Sequence, residues 1–214
     1  MAKKLLTEED KKAISLAIKA AEGTTSGEIV FAVQDASAHY HHAALQGALA
    51  GTVVAVAIYL SIPTEHTIGL ILWVELVAFA AFYALFSYLP WRRWFVSSRE
   101  LNARVQQAAF MEFYASGLCR TRESNGILVY LSLLERRVVV LGDRGIHEKM
   151  GDHHWEDVRD KIIRGIREGH AREGICAALE SCGKALADHF PRRPDDIDEL
   201  SNQIIERKLG PGGA

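Results

Sequence analysis

The chemistry available to this chain rests on oxygen and imidazole donors gathered after two apolar runs. Asp35 follows the run at residues 28–33. Asp143 follows another at residues 138–141, and His147, Glu148, Asp152, His153 and His154 come just beyond it. Carboxylate oxygens suit calcium or magnesium, and added imidazole shifts the preference towards a transition metal. A divalent cation held by Asp35, Asp143 and Asp152 could activate water and neutralise a phosphoryl group, with Arg122 or Arg144 gripping phosphate oxygens. The spacing matches neither an EF-hand loop nor an HExxH helix, and the chain has no nucleophile elbow or CxxxxxR loop. Each residue also has an ordinary role: Asp152 as a helix N-cap, Asp143 as a turn residue, His153 and His154 as solvated surface, and Thr121 to Asn125 as a polar loop. Cys119 has no identifiable base partner, which makes it an inert thiol.

Positioning Asp35 and Asp143 falls to a small sheet. Thr7 is a good N-cap, with Glu8, Glu9 and Asp10 in the first turn of a helix that carries Ala13, Ile14, Ala17, Ile18 and Ala21 and ends at Gly23. Residues 28–33, rich in β-branched and aromatic types, read as a strand. Residues 127–134 and 138–141 read as a β-hairpin around the charged turn at Glu135, Arg136 and Arg137. Helical periodicity appears in Leu101, Val105, Ala109 and Phe113, again in Trp155, Val158, Ile162 and Ile166, and again in Ile175, Leu179, Cys182 and Leu186. Pro191 to Pro194 breaks the chain. A last helix with Ile197, Leu200 and Ile204 and a Gly/Pro tail are expected over residues 195–214. The order points to an α/β (α+β) sandwich, a small mixed sheet flanked by helices. With the first and third strands as parallel neighbours, Asp35 and Asp143 would share the carboxyl edge, where open sheets bind ligands.

Residues 43–90 interrupt this pattern. No charge occurs over residues 43–62, and Glu75 is the one charge over residues 68–90. Each run can cross a hydrocarbon core of roughly 30 Å as a helix rising about 1.5 Å per residue. Lys3, Lys4, Lys11, Lys12 and Lys19 precede the pair and Arg92, Arg93, Arg99 and Arg104 follow it, while the loop at residues 63–67 has no Lys or Arg. The positive-inside rule then places both termini in the cytoplasm, the two helices in an inner membrane, and Trp91 and Trp94 at the headgroup layer. Gly47 and Gly51 form a small-xxx-small pattern suited to close helix packing. Glu75 is costly in lipid and implies packing against another helix or protomer, or an ion or proton role. His39, His41 and His42 form a polar collar at the boundary, with metal binding or pH sensing as the alternative.

The net charge of −2 gives no global basic field for nucleic acid. Three cysteines without a CxxC pair argue for reduced thiols rather than a disulfide framework. The first ten residues have no apolar core and are not expected to be a signal peptide.

Gly27-Glu28-Ile29-Val30, Asn125-Gly126-Ile127-Leu128, Glu135-Arg136-Arg137-Val138 and the stretch from Gly145 to Asp152 resemble, in order, the TPM domain, over residues 8–35 and 98–190. This is the family of a plant thylakoid phosphatase, a photosystem II repair protein and a nematode receptor modulator. The resemblance implies a small sheet flanked by helices, divalent-ion binding in some members, and a proposed acid phosphatase activity in the plant member. Many bacterial members are exported and carry a membrane anchor. Here the anchor lies inside the domain, the charge rule makes the domain cytoplasmic, and His147 stands where the family motif has Glu. The expectation is therefore a TPM-like domain of residues 1–42 and 91–194, anchored by a transmembrane hairpin at residues 43–90. It would bind or quality-control membrane-protein partners, possess a regulatory calcium or magnesium ion, and touch lipid or a second copy of itself. A metal-dependent phosphatase and a subunit of a larger membrane complex are the alternatives.

Overall fold

A computed structural model describes residues 5–63, 67–88, 95–150, 154–193 and 199–208. The chain divides into two compact units, one of residues 1–37 with 104–212 and one of residues 38–103.

The first unit is a mixed four-stranded sheet between helices, ordered β3-β2-β1-β4. Helix α1 (Glu8–Glu22) opens with a capping box. The Asp10 backbone N–H donates to Thr7 Oγ1 at 3.2 Å, and the Thr7 N–H donates to Asp10 Oδ2 at 2.9 Å. These bonds from Thr7 hold the Asp10 carboxyl below its ordinary value. Strand β1 (Glu28–Gln34) pairs in parallel with β2 (Gly126–Ser132), from Glu28 opposite Gly126 to Gln34 opposite Ser132. Strand β3 (Arg137–Gly142) returns antiparallel to β2 through a turn in which Arg136 has φ 54°.

Both faces of the sheet are covered, which is why β1 reads as an unbroken apolar run. On one face Ile29, Phe31, Val33, Ile127, Val129 and Leu131 pack with α1, α6 (His154–Glu168) and α7 (Ala171–His189), through Ile14, Ile18, Trp155, Ile162, Leu179 and Leu186 among others. On the other, Val30, Ala32, Leu128 and Tyr130 pack against Val105, Ala109 and Phe113 of α4 (Ser98–Ala115) and against Leu118. Ser97 caps α4 through the Glu100 N–H.

Two expectations change. The last helix is absent from residues 199–208. Instead β4 (Ile205–Arg207) adds in parallel to the free edge of β1, Ala32 opposite Ile205. The unpaired backbone of a buried central strand is a stronger claim on these residues than a weak apolar period. The second concerns Asp143, read above as an ordinary turn residue. Directly after it Arg144 begins a short helix, α5 (Arg144–Met150), whose Ile146 and His147 N–H groups both reach the Asp143 carbonyl at 3.0 Å.

The second unit holds α2 (His41–Leu60) and α3 (Ile68–Tyr88), each about 30 Å long at about 1.5 Å per residue. Both are long and apolar enough to cross a membrane. They pack through the two glycines. A Cβ at Gly47 would sit 2.9 Å from the Phe86 ring, and one at Gly51 would sit 2.7 Å from the Phe82 ring. The small-xxx-small pattern on α2 is the groove that receives two phenylalanines of α3. Residues 64–66 and 91–94, with Trp91 and Trp94, lie outside the described residues.

Candidate functional site

At the carboxyl edge of the parallel pair β1/β2, the first unit buries a polar network in an otherwise apolar sheet. Tyr130 and Ser132 share the β2 face that meets α4, because alternate residues of a strand point the same way. Both are fully buried, and Glu135 is 4% exposed. The Tyr130 hydroxyl donates to Gln34 Oε1 at 2.7 Å, the Ser37 hydroxyl donates to Ser132 Oγ at 2.8 Å, and the Ser132 hydroxyl donates to the Glu135 carboxylate. The other Glu135 oxygen accepts the Ser37 backbone N–H at 3.0 Å. Ser37 Oγ also lies 3.1 Å from the Tyr130 oxygen. A hydroxyl has one proton, so this chain is directed: Ser37 to Ser132 to the buried carboxylate. Burial pushes the Tyr130 phenol up to about 12, opposed by the bond with Ser37 and reinforced by the charges of Glu135 and Glu112, so it stays neutral and donating.

Beside this network, the buried Glu112 of α4 receives Arg207 of β4 in a two-pronged pair, at 3.1 and 3.2 Å. The fork-to-carboxylate geometry ties the added strand to the helix over the sheet. The arrangement offers a half-exposed serine hydroxyl wired to a carboxylate, at the edge where parallel strands present their ligands.

Of the metal ligands expected from sequence, Asp35 and Asp143 do not come together. Asp35 is exposed at the carboxyl edge, its N–H on the Arg207 carbonyl. Asp143 is at the amino edge, its N–H on the Gly126 carbonyl at 2.8 Å. The seven residues of β1 separate the two edges, roughly 20 Å at about 3.3 Å per residue. The reason is topological. Strand β2 lies between β1 and β3, and the tight turn after β2 makes β3 antiparallel to β2 and so to β1. Asp152 and His153 lie outside the described residues. Asp143 Oδ1 accepts the Arg144 N–H at 2.7 Å, and its buried Oδ2 has no hydrogen-bond partner among the described residues. Among those residues no three His, Cys, Asp or Glu side chains converge as a metal site.

The remaining candidates are mostly engaged elsewhere. Arg144 pairs with Glu148 at 2.7 Å, which raises its pKa. The Arg122 guanidinium is 4.0 Å from Glu199. His39 stacks on His41, and His42 meets Glu100 at 3.4 Å. Cys119 is an exposed free thiol. Cys182 is buried, which pushes its thiol up to about 12, and burial likewise raises Cys176. At the amino edge a cleft is lined by Lys19, Glu22, Thr25, Glu28, Arg192 and Asn202. There Glu22 accepts the Ile29 N–H and Glu28 the Glu199 N–H.

The network of Ser37, Tyr130, Ser132 and Glu135 was not anticipated from sequence. Its one sequence signal is Ser132 and Tyr130 at alternate positions of a strand that is otherwise aliphatic, opposite the amide Gln34.

Residues 94–185 match the family model of the TPM domain. The match takes in α4, β2, β3 and α5 to α6 with most of α7. It leaves out β1, which the resemblance at residues 8–35 had included. No curated protein matches the chain. Among solved structures, the chain resembles the solution structure of the BA42 protein from the psychrophilic bacterium Bizionia argentinensis. The identity is 24%, the TM-score is 0.60, and the match covers 97% of this chain and 99% of that one. At this identity the likeness concerns the fold.

Proposed function

The chain carries a TPM domain, and from this we propose that it is a bilayer-anchored binding module that acts on membrane-protein partners from the cytoplasmic face of an inner membrane. The observation that carries the reading is the outer surface of α2 and α3. Leu72 is 59% exposed, Trp73 66%, Leu76 59% and Val53 68%, and no residue in the apolar window of α3 is buried. A core helix of a water-soluble protein buries such side chains. Each is worth about 1.5–3 kcal/mol on leaving water. A row of them in water would offset the whole stability of a domain, about 5–15 kcal/mol. Hydrocarbon removes that cost. The flanking Lys and Arg residues favour the cytoplasm for both ends.

Reporter fusions at the carboxyl terminus and in the loop at residues 63–67 test the placement. Cytoplasmic signal from the first and extracytoplasmic signal from the second are expected, and the reverse pattern overturns the orientation. Glu75, exposed on α3 with no partner among the described residues, suits a polar contact with a partner helix. For regulation by a divalent ion we favour Asp143 and Asp152 over Asp35, because Asp35 lies at the opposite edge of the sheet from Asp143. The uncommitted Asp143 Oδ2 suits a cation. Asp143→Asn should abolish any calcium-induced rise in melting temperature, whereas Asp35→Asn should keep it.

A second reading, a phosphatase, draws on the family resemblance and on the directed chain from Ser37 to Glu135. In that reading the Ser37 oxygen attacks phosphorus as the ester oxygen of the substrate leaves, the Ser37 proton moves through Ser132 to Glu135, and water then cleaves the phosphoserine. Turnover of p-nitrophenyl phosphate that persists in Ser37→Ala would remove the site from consideration.

A further inference from the structure

The outward face of α4 has a composition that the TPM domain's core does not require. Phe110 is 53% exposed, and Met111 and Tyr114 are each 67% exposed. Phe110 and Tyr114 stand four residues apart, one turn above the other, with Met111 beside them. The opposite face of the same helix supplies Val105, Ala109 and Phe113 to the core, so the burial of α4 on the sheet is complete without these three. Single exposed apolar residues are common, as Leu16 on α1 illustrates at 67%. Three adjacent large ones on one outward stripe are not.

The charged residues exposed beside the stripe are arginines, with the neutral Gln107 between Arg104 and Phe110 on the same side. Arg104 lies on the same exposed side and Arg120 follows the helix, also exposed. The one acid among residues 104–115 is Glu112, which is buried and held by Arg207. Aromatic and thioether side chains bordered by arginine match an anionic headgroup layer in chemistry. The rings enter the boundary between headgroup and acyl chain, and the guanidiniums meet lipid phosphate. Helix α4 begins ten residues after Tyr88, the last residue of α3. The chain therefore has lipid within reach whenever α3 spans a bilayer.

We propose that Phe110, Met111 and Tyr114, with Arg104 and Arg120, form an interfacial face on which the TPM domain lies against anionic lipid. This rests on the reading of α2 and α3 as membrane spans. The domain is then held by two devices, covalently by the hairpin and laterally by α4. The carboxyl edge of the sheet is thereby given a set height above the bilayer.

The test uses the full chain in vesicles of phosphatidylcholine with phosphatidylglycerol. A nitroxide is placed in turn at Tyr114→Cys, Leu16→Cys and Leu72→Cys, each with Cys119→Ser. Collision with oxygen, which partitions into lipid, is compared with collision with an aqueous nickel chelate. The Tyr114 label should favour oxygen, at a depth of about 5–10 Å. The Leu16 label should favour nickel, and the Leu72 label should favour oxygen most. Omitting phosphatidylglycerol should move the Tyr114 label towards nickel, and Arg104→Glu should do the same. A Tyr114 label that behaves like Leu16 while Leu72 stays in lipid overturns the interfacial face and leaves the spans standing. A Leu72 label favouring nickel overturns the spans and the face together. A Tyr114 label shielded from both reagents means a protein covers the stripe, which also overturns the proposal.

Discussion

The sandwich and the hairpin solve the same problem in opposite ways. In the sandwich, Phe31, Ile127, Ile162 and Leu179 are fully buried and the outer faces of α6 and α7 are charged. In the hairpin, most large side chains of α2 and α3 point outward, while Gly47 and Gly51 receive Phe86 and Phe82 between the helices. Water drives the first arrangement by rejecting apolar surface. In the bilayer proposed for the hairpin, lipid would provide no such drive between helices, and close approach and ring packing would hold the second. On that reading apolar content alone does not define a core; the surrounding solvent does.

Substitutions should separate the two. The largest effect is expected in the sandwich, where Phe31→Ala should lower stability by about 3–5 kcal/mol. Leu72→Ala on α3 should leave unfolding of the sandwich unchanged, followed in both cases by circular dichroism of detergent-solubilised protein against urea. Equal losses would erase the contrast. Within the hairpin the sensitive position is a small one. Gly51→Leu displaces the Phe82 ring and should separate α2 from α3, read as loss of a crosslink between cysteines placed at the facing positions 47 and 86. An undiminished crosslink would refute glycine-mediated packing.

The polar network should show an intermediate effect. Glu135→Ala leaves the Ser37 N–H and the Ser132 hydroxyl without their acceptor, and should cost about 1–3 kcal/mol in the same urea experiment. Glu135→Gln should recover part of it.

The smallest effect belongs to the surface cap of α1. Thr7→Ala should cost about 1 kcal/mol. The Asp10 pKa is lowered from 3.8 on folding, so its contribution is present above pH 3.8 and fades as pH falls through the lowered folded value. An acid titration of the melting temperature should show this loss in the parent chain and not in Asp10→Asn.

Much of the architecture was readable because its signals are local. The Thr7 cap, the stop at Gly23, the faces of α4, α6 and α7 and the limits of both long helices follow from spacing and from caps. The turn at residues 133–136 likewise announces an antiparallel return. The candidate site was read poorly because it depends on strand direction. Asp35 and Asp143 each follow a strand, as expected, yet the strands end at opposite edges. Glu135 looked like a turn residue on the surface, whereas the turn folds its carboxylate inward beneath Ser37. Residues 205–207 carried a weak helical period, and the open edge of β1 made them a strand.

The sequence by itself determined which segments are apolar throughout, which are apolar on one face, and where each begins. Those properties are set by neighbours within a turn or two of chain. It also carried enough of an ordered pattern to point to the TPM domain. Only the tertiary structure decided the order β3-β2-β1-β4, the separation of Asp35 from Asp143, and the union of Gln34, Ser37, Tyr130, Ser132 and Glu135. Ser37 meets residues 93 to 98 positions away. Contacts at that range are selected by which backbone edges and buried polar groups must be satisfied together, a condition that no local window of sequence contains.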